Sequence, residues 1–254
     1  MSPKPDEDPL YEMDPTGRFT DRAEDYARYR PSYPAAAFDA IVREATEGLA
    51  ADIGAGTGIS ARQLADRGIT VIAVEPNAAM REAAAPHPRV EWRNGTAEDT
   101  GVETGSLDLV LCAQAFHWFR PHEAVREFHR ILRPRGRLAL IWNSRDVRDP
   151  LTRGYVDAIR AVHGEHPVER RPFDSEVIDR DHSFTTPTLE TFAHTQELDR
   201  DGLLGRAASA SYVPKDSPAF EELKSVLVAL FDRHRDPRGM IRMAYVTQLY
   251  LAER

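Results

Sequence analysis

Residues 51–60 read ADIGAGTGIS, placing glycines at 54, 56 and 58 between the apolar run LAADI (49–53) and the helical pattern ISARQLADRG (59–68). Glycine interrupts strands and helices alike. Three of them at a strand-to-helix junction mean that the backbone turns sharply there and lets something come close. Outward from this loop, strand and helix signals alternate. ITVIAVE (69–75) is β-branched and almost continuously apolar, as expected for a strand buried on both faces. Gly68 is the expected cap of the preceding helix, and NAAMREAAA (77–85) is an alanine-rich helix that Asn77 is suited to cap. VEWRN (90–94) and SLDLVLCA (106–113) read as the third and fourth strands. PHEAVREFHRIL (121–132) is an amphipathic helix with Pro121 near its start, RPRG (133–136) a turn, and RLALIWN (137–143) a fifth strand. Strands separated by helices of this length are βαβ units. They predict an α/β fold with a mostly parallel sheet, and ligands bound at the carboxyl ends of its strands.

The rest of the chain divides around this core. Residues 1–17, charged and proline-rich, read as a disordered tail rather than a signal peptide, and 18–47 as an N-terminal helical cap. After the core at 48–143, the stretch 144–189 is dense in charge and proline, with one helix expected at 151–163; it reads as a lid or insertion. In 190–254 the sheet is expected to resume, with strand character at 189–199, a helix at 217–236 and a closing strand at 240–253. A 254-residue chain with 41% hydrophobic and 29% charged residues has the composition of a globular protein with a buried core. Its net charge of -8 argues against broad nucleic-acid binding, which needs a basic surface to displace counterions. No apolar run approaches the ~18 residues of a membrane span. The single cysteine, Cys112, has no internal disulfide partner. A cytoplasmic protein with a small-molecule partner, and neither nucleic acid nor membrane, is therefore expected. No metal site is expected, because His122, His129, His163, His166 and His182 are scattered and neither H-E-x-x-H nor C-x-x-C occurs. No G-x-S-x-G points to a hydrolase.

A strand, a glycine turn, a helix and an acid at the next strand's tip form an arrangement that holds a nucleoside. Glu75 lies 17 residues after Gly58, where its carboxylate can accept both ribose hydroxyls and would repel a ribose phosphate. A dinucleotide fingerprint, G-x-G-x-x-G, would require glycine at 59, where Ile59 stands. The motif DIGAGTG (52–58) instead resembles the first motif of the class I S-adenosylmethionine (SAM)-dependent methyltransferases. NGTAED (94–99), LDLVLCAQAFHWF (107–119) and ILRPRGRLAL (131–140) resemble the same family in the places expected. Outside the core, GRFTDRAEDYARYRPSYP, AQAFHWF and WNSRD look like a small-molecule subgroup related to the methyltransferases that esterify trans-aconitate.

The resemblance implies a Rossmann-like, mostly parallel seven-stranded sheet with an antiparallel last strand, and SAM as cofactor with S-adenosylhomocysteine as product. It places Asp52 near the amino-acid end of the cofactor, Gly54, Ala55, Gly56 and Gly58 against its methionine and ribose portions, and Glu75 with Pro76 at the ribose. Adenine contacts fall to Ala97, through its backbone, and Glu98; many members have aspartate where Thr96 stands. Ala113 and Gln114 fall where the family meets the methionine amine, chiefly through main-chain oxygen, although Gln114 as a mere loop cap is an equal reading.

The expected reaction is methyl transfer to a small metabolite, an acidic one among the candidates, with oxygen favoured over nitrogen or carbon. His117, beyond the fourth strand, has three readings: a general base, for which its ordinary pKa near 6.5 is suited, a pocket wall together with Trp118, or plain structure. Arg30 could pair with the cofactor carboxylate or an acidic substrate, and Arg145 could grip an anionic substrate or be a solvated surface residue. Tyr26, Tyr29 and Tyr33 could form an aromatic lid, with packing favoured for at least two of them. The competing readings are a nicotinamide-dependent oxidoreductase, which Glu75 allows but the glycine spacing disfavours, and a SAM-binding regulatory module without catalysis. A protein or nucleic-acid methyltransferase is disfavoured by the acidic balance and by the lack of an N-P-P-Y clamp after strand four.

Overall fold

The computed structural model describes residues 10–12, 23–43, 48–164, 173–180, 183–209 and 217–254. The strands β1 (Leu49–Ile53), β2 (Thr70–Val74), β3 (Val90–Arg93), β4 (Leu107–Ala113), β5 (Leu132–Arg145), β6 (Thr188–Leu198) and β7 (Ile241–Glu253) form one sheet in the order β3-β2-β1-β4-β5-β7-β6. Strands β1 to β5 pair in parallel, and β7 runs antiparallel to both β5 and β6. This is the expected Rossmann-like architecture with its antiparallel last strand. Chain order proceeds outward from β1 on one side and from β4 on the other, so the crevice between their tips is the switch point at which such sheets bind ligands.

Helices α1 (Ala23–Tyr29), α2 (Ala35–Val42), α3 (Ile59–Ala65), α4 (Ala78–Glu82), α5 (Pro121–Ile131), α6 (Pro150–His163), α7 (Glu176–Asp179), α8 (Arg200–Ala208) and α9 (Pro218–His234) surround the sheet. Successive strand residues point to opposite faces. Ala51, Ile53, Val74, Val110, Cys112 and Leu140 pack with Phe128 and Ile131 of α5. Their neighbours Ala50, Ala73, Leu109, Leu111 and Ile141 pack with Phe38 and Ile41 of α2 and Leu64 of α3. A third cluster joins Tyr155 and Ile159 of α6, Leu203 of α8 and Leu227 of α9 to Met243 and Tyr245 of β7. Cys112 is fully buried near the end of β4, and burial pushes its thiol well above the ordinary range.

Two boundaries differ from the sequence reading. Strand β5 starts at Leu132, which pairs with Leu107, and the pairing resumes at Leu109 with Arg137. The expected RPRG turn is therefore an outward bulge within a strand, with Arg135 held at φ 67°. Helix α4 ends at Glu82, short of the expected Ala85, because the residue before Pro86 is steered away from helical backbone.

Of the expected tail, residues 1–9 and 13–17 lie outside the described residues. Leu10–Glu12 form one ordered 3-10 turn whose Leu10 is buried, so disorder does not extend through it. The helical cap is clasped over the strand tips by side chains from three distant elements and by one of its own. Gln63 of α3 accepts from the Tyr33 N–H at 3.0 Å and donates to the Tyr33 carbonyl at 2.9 Å. Asn143 of β5 donates to the Ser32 carbonyl, Gln196 of β6 donates to that of Tyr29, and Arg30 itself donates to the carbonyl of Ser209, just past α8. Gly205 of α8 lies so close to the Tyr29 ring that a Cβ there would fall inside it. Of the stretch expected to be a lid, α6 belongs to the third cluster, and Phe173 and Ile178 pack on the α5 face of the sheet. Among the described residues no helix is long and apolar enough to cross a membrane.

Candidate active site

The loops after β1, β2, β3 and β4 converge on a chamber of about 740 Å³ lined by Gly54, Gly56, Glu75, Pro76, Asn77, Met80, Gly95, Thr96 and Ala97, with Trp118 and Phe119 on its far side. The glycine loop is shaped by backbone that side chains resist. Gly54, Gly56 and Gly58 have φ of 68°, 58° and 73°. A Cβ on Gly54 would stand 2.7 Å from that of Ala115, and one on Gly58 would stand 2.9 Å from Trp92. Glu75 is fastened at the mouth of the loop: one carboxylate oxygen accepts from the Gly56 N–H and the other from the Asn77 N–H, both at 2.9 Å. Burial raises its carboxyl pKa, opposed by those two N–H groups and by Arg81, whose guanidinium also holds the Glu75 and Pro76 carbonyls. Asn77 caps α4 through the Met80 N–H.

A second chamber of about 470 Å³ shares Tyr26, Gly54, Ala113 and Gln114 with the first and extends to Arg30, Tyr33, Ser60, Asn143 and Arg206. Asp52 stands behind it, fully buried. Its Oδ2 accepts from the Ser60 hydroxyl at 2.6 Å, whereas its Oδ1 has no hydrogen-bond partner among the described residues. Burial pushes this carboxyl up to about 7, against the pull of Ser60 and the Ala61 N–H. Gln114 adopts φ 55°, an uncommon conformation for a non-glycine residue. Its side-chain oxygen accepts from the Asn143 N–H at 3.1 Å, so the amide extends the β4–β5 seam and the backbone is what faces the chambers.

This geometry, one carboxylate at the second strand tip above a non-dinucleotide glycine loop, coincides with what the chain is similar to. Residues 51–140 match the methyltransferase domain family. A methyltransferase of Mycobacterium tuberculosis, itself uncharacterized, is 38% identical over 190 residues, 74% of each chain. A methyltransferase-like protein of Schizosaccharomyces pombe is 35% identical over 156 residues, 59% of each chain. A solved structure from Anaeromyxobacter dehalogenans, described provisionally as a type II methyltransferase, superposes with a TM-score of 0.64 at 26% identity, covering 88% of this chain and 97% of that one. The chain belongs to the class I SAM-dependent methyltransferases.

SAM is accordingly the cofactor. The residues present fit it. The larger chamber offers Glu75 for vicinal hydroxyls and the flat or flexible apolar faces of Met80, Trp118 and Phe119 for a purine. At the other end, the unpartnered buried oxygen of Asp52 beside Ser60 suits a cationic group on the ligand.

The expected methyltransferase residues fall into three groups. Gly54, Gly56, Glu75, Pro76, Ala97, Ala113, Gln114 and Trp118 line the larger chamber; Trp118, expected on the substrate side, stands on this nucleoside side. Tyr26, Arg30, Tyr33 and Ala55 line the smaller one, with Tyr26 common to both. Asp52, Gly58, Glu98, His117 and Arg145 line neither. The Glu98 carboxylate accepts from the Arg120 N–H at the start of α5, and the Arg145 guanidinium lies over the Tyr155 ring. His117 accepts from the Trp142 indole N–H through Nδ1 at 3.4 Å, and burial together with the charge of Arg30 pushes its pKa down to about 4. That removes the near-neutral basicity on which its reading as a base rested.

Asn77, Met80, Gly95, Phe119, Asn143 and Arg206 line the chambers without having been singled out from the sequence. For Arg206 a signal was present: it falls on the same stripe of α8 as buried Leu203, three residues away, where an arginine is out of place.

Proposed function

We propose that this methyltransferase transfers the methyl of SAM to an oxygen of a small anionic metabolite that enters beside α1 and α8. The observation that carries this reading is the second chamber, which adjoins the nucleoside chamber through Gly54, Ala113 and Gln114 and is lined by two arginines and no acidic residue. SAM supplies a methyl group already activated by its positively charged sulfur. The task of the protein is placement, which supplies several kcal/mol of a barrier when the reacting atoms are held in line. The clasp of Gln63, Asn143 and Gln196 on residues 29–33 supports such fixity and shields the reactants from water.

The same lining argues for the kind of oxygen. Of its titratable residues, Tyr26, Arg30, Tyr33 and Arg206, none is a histidine or carboxylate that could take a proton, and burial pushes the Tyr33 hydroxyl well above its usual range. A carboxylate arrives already ionised, whereas a phenol or alcohol must lose a proton. Kinship of the N-terminal and WNSRD stretches to the small-molecule subgroup supports the same choice.

The test is incubation of the purified chain with SAM and matched carboxylic acids, phenols and amines, following S-adenosylhomocysteine release and the mass of the methylated product. Methyl esters from at least one acid are expected. Turnover confined to phenols or amines would overturn the acceptor assignment while leaving the family intact.

A further inference from the structure

Arg206 is a buried cation without an anion among the described residues. It is 4% exposed, it lines the smaller chamber, and its Nε has no hydrogen-bond partner among the described residues. Its Nη1 donates to the Ser209 hydroxyl at 3.3 Å, and the Tyr245 hydroxyl also receives a bond from it. Tyr155, Tyr245 and Arg145 are the ionisable groups that face it; no carboxylate among the described residues lies within ion-pair distance. Burying a charge is costly unless a partner repays the lost hydration, so a guanidinium kept here calls for a counter-ion that no described residue supplies.

Charge counting indicates whose anion that is. The smaller chamber presents two guanidiniums, Arg30 and Arg206, both tied to Ser209. SAM carries one carboxylate, together with an amine and a sulfonium. If Arg30 takes that carboxylate, Arg206 still has no carboxylate among the described residues to match it. Arg30 belongs to the clasped segment, donates Nη2 to the Ser209 carbonyl and lies over the ring of Tyr26, which borders both chambers, whereas Arg206 lines the smaller chamber only.

We infer that Arg206 is the residue that selects the acceptor, by pairing with an anionic group on it that is distinct from the atom receiving the methyl. This rests on the methyltransferase reading above. The two groups must be separate because a guanidinium that grips a carboxylate in a fork draws off the charge that would make it nucleophilic. Gly205, whose close approach to Tyr29 seats α8 against α1, fixes where that fork sits.

The experiment uses the full chain saturated with S-adenosylhomocysteine at constant ionic strength. Binding of succinate, malonate and inorganic phosphate is measured by calorimetry, with succinamide as the neutral match. Succinate or malonate is expected to bind at least tenfold more tightly than succinamide. Arg206→Met should lose at least tenfold in that affinity while its affinity for S-adenosylhomocysteine stays within twofold of wild type, and Arg206→Lys should recover part of the loss. Phosphate binding more tightly than either diacid would keep the anion site and reassign its ligand to a phosphorylated acceptor, overturning the carboxylate form. Equal binding of diacid and diamide by the wild-type protein overturns the inference without recourse to any variant. An equal loss of S-adenosylhomocysteine in Arg206→Met, while Arg206→Lys binds it normally, would assign Arg206 to the cofactor carboxylate instead. Wild-type protein that does not bind S-adenosylhomocysteine at all would overturn the cofactor site itself, a failure separate from that of Arg206.

Discussion

The two chambers share a wall yet are built by different means. The larger one is made where strands end: Gly54, Glu75, Thr96 and Ala113 follow or close β1, β2, β3 and β4, and short-range bonds pin the loops, Gly54 N–H to the Val74 carbonyl, Thr96 N–H to the Asp99 carbonyl and Gly56 N–H to the Glu75 carboxylate. The smaller one gathers Arg30 from beyond α1, Asn143 from β5 and Arg206 from α8, held by side chains reaching across the fold. Sheet geometry dictates the first, so a fixed ligand can be expected there. The second depends on how two helices outside the parallel core are seated, and it can vary without disturbing the sheet.

Substitutions can break this contrast or sharpen it. The largest effect is expected from Glu75→Ala, which removes the carboxylate from the nucleoside chamber and unties Gly56. Loss of charge-assisted bonds worth about 2–3 kcal/mol should weaken S-adenosylhomocysteine binding roughly 30- to 150-fold. A change below threefold in calorimetry would mean that this chamber does not hold the ribose. Gly205→Val is expected to act on the other chamber. Driving a side chain into Tyr29 should cost ~1–3 kcal/mol of stability and push α1 away from α8. Acceptor kcat/KM should then fall tenfold or more with S-adenosylhomocysteine affinity within threefold of wild type; equal losses in both would dissolve the distinction.

A smaller effect tests the boundary between the chambers. The Asp52 carboxyl, pushed from its usual 3.8 up to about 7, stays protonated in the folded chain where the unfolded chain has already lost the proton. Its contribution to stability is therefore full below about pH 4 and declines as pH rises through 7. Asp52→Asn should melt close to wild type at pH 4 and several degrees higher at pH 8, at roughly 2–4 °C per kcal/mol for a chain of this size. A melting difference that does not grow with pH would show that burial is not what raises this carboxyl. The smallest effect is expected at His117. A general base is worth about 10²–10⁴ in rate, so His117→Phe should lower kcat by far less, under about tenfold, and leave the pH–rate profile between 6 and 8 unchanged. A loss of a hundredfold with a vanished acidic limb would restore the histidine as the base.

The contrast also explains what could be read in advance. The order of strands and the nucleoside wall were legible because the glycines, the β-branched strand before Glu75 and the capping Asn77 express local rules, and those rules agree with the sheet. Trp118 lines the larger chamber, and its position within the loop after β4 depends on the Phe116–Trp118 turn, which no local pattern announces. Glu98 was expected at adenine as the neighbour of Ala97, and one of its carboxylate oxygens accepts from the Arg120 N–H just before α5, a contact that no sequence pattern announces. Arg145 and Arg206 are separated by an accident of packing: both carry the same charge, and only the seating of α6 and α8 decides that one covers Tyr155 while the other opens into the chamber.

The burial of Cys112 also has a practical use. As the chain's one thiol, sealed in β4 just before the Ala113 tip shared by both chambers, it can react with a maleimide or an aromatic disulfide only when this end of the strand opens. Its modification rate is thus an intrinsic clock for that opening, needing no added label. A ligand seated on the neighbouring strand ends should slow the clock in proportion to its occupancy, so affinity for candidate acceptors can be read from labelling kinetics before any product is known.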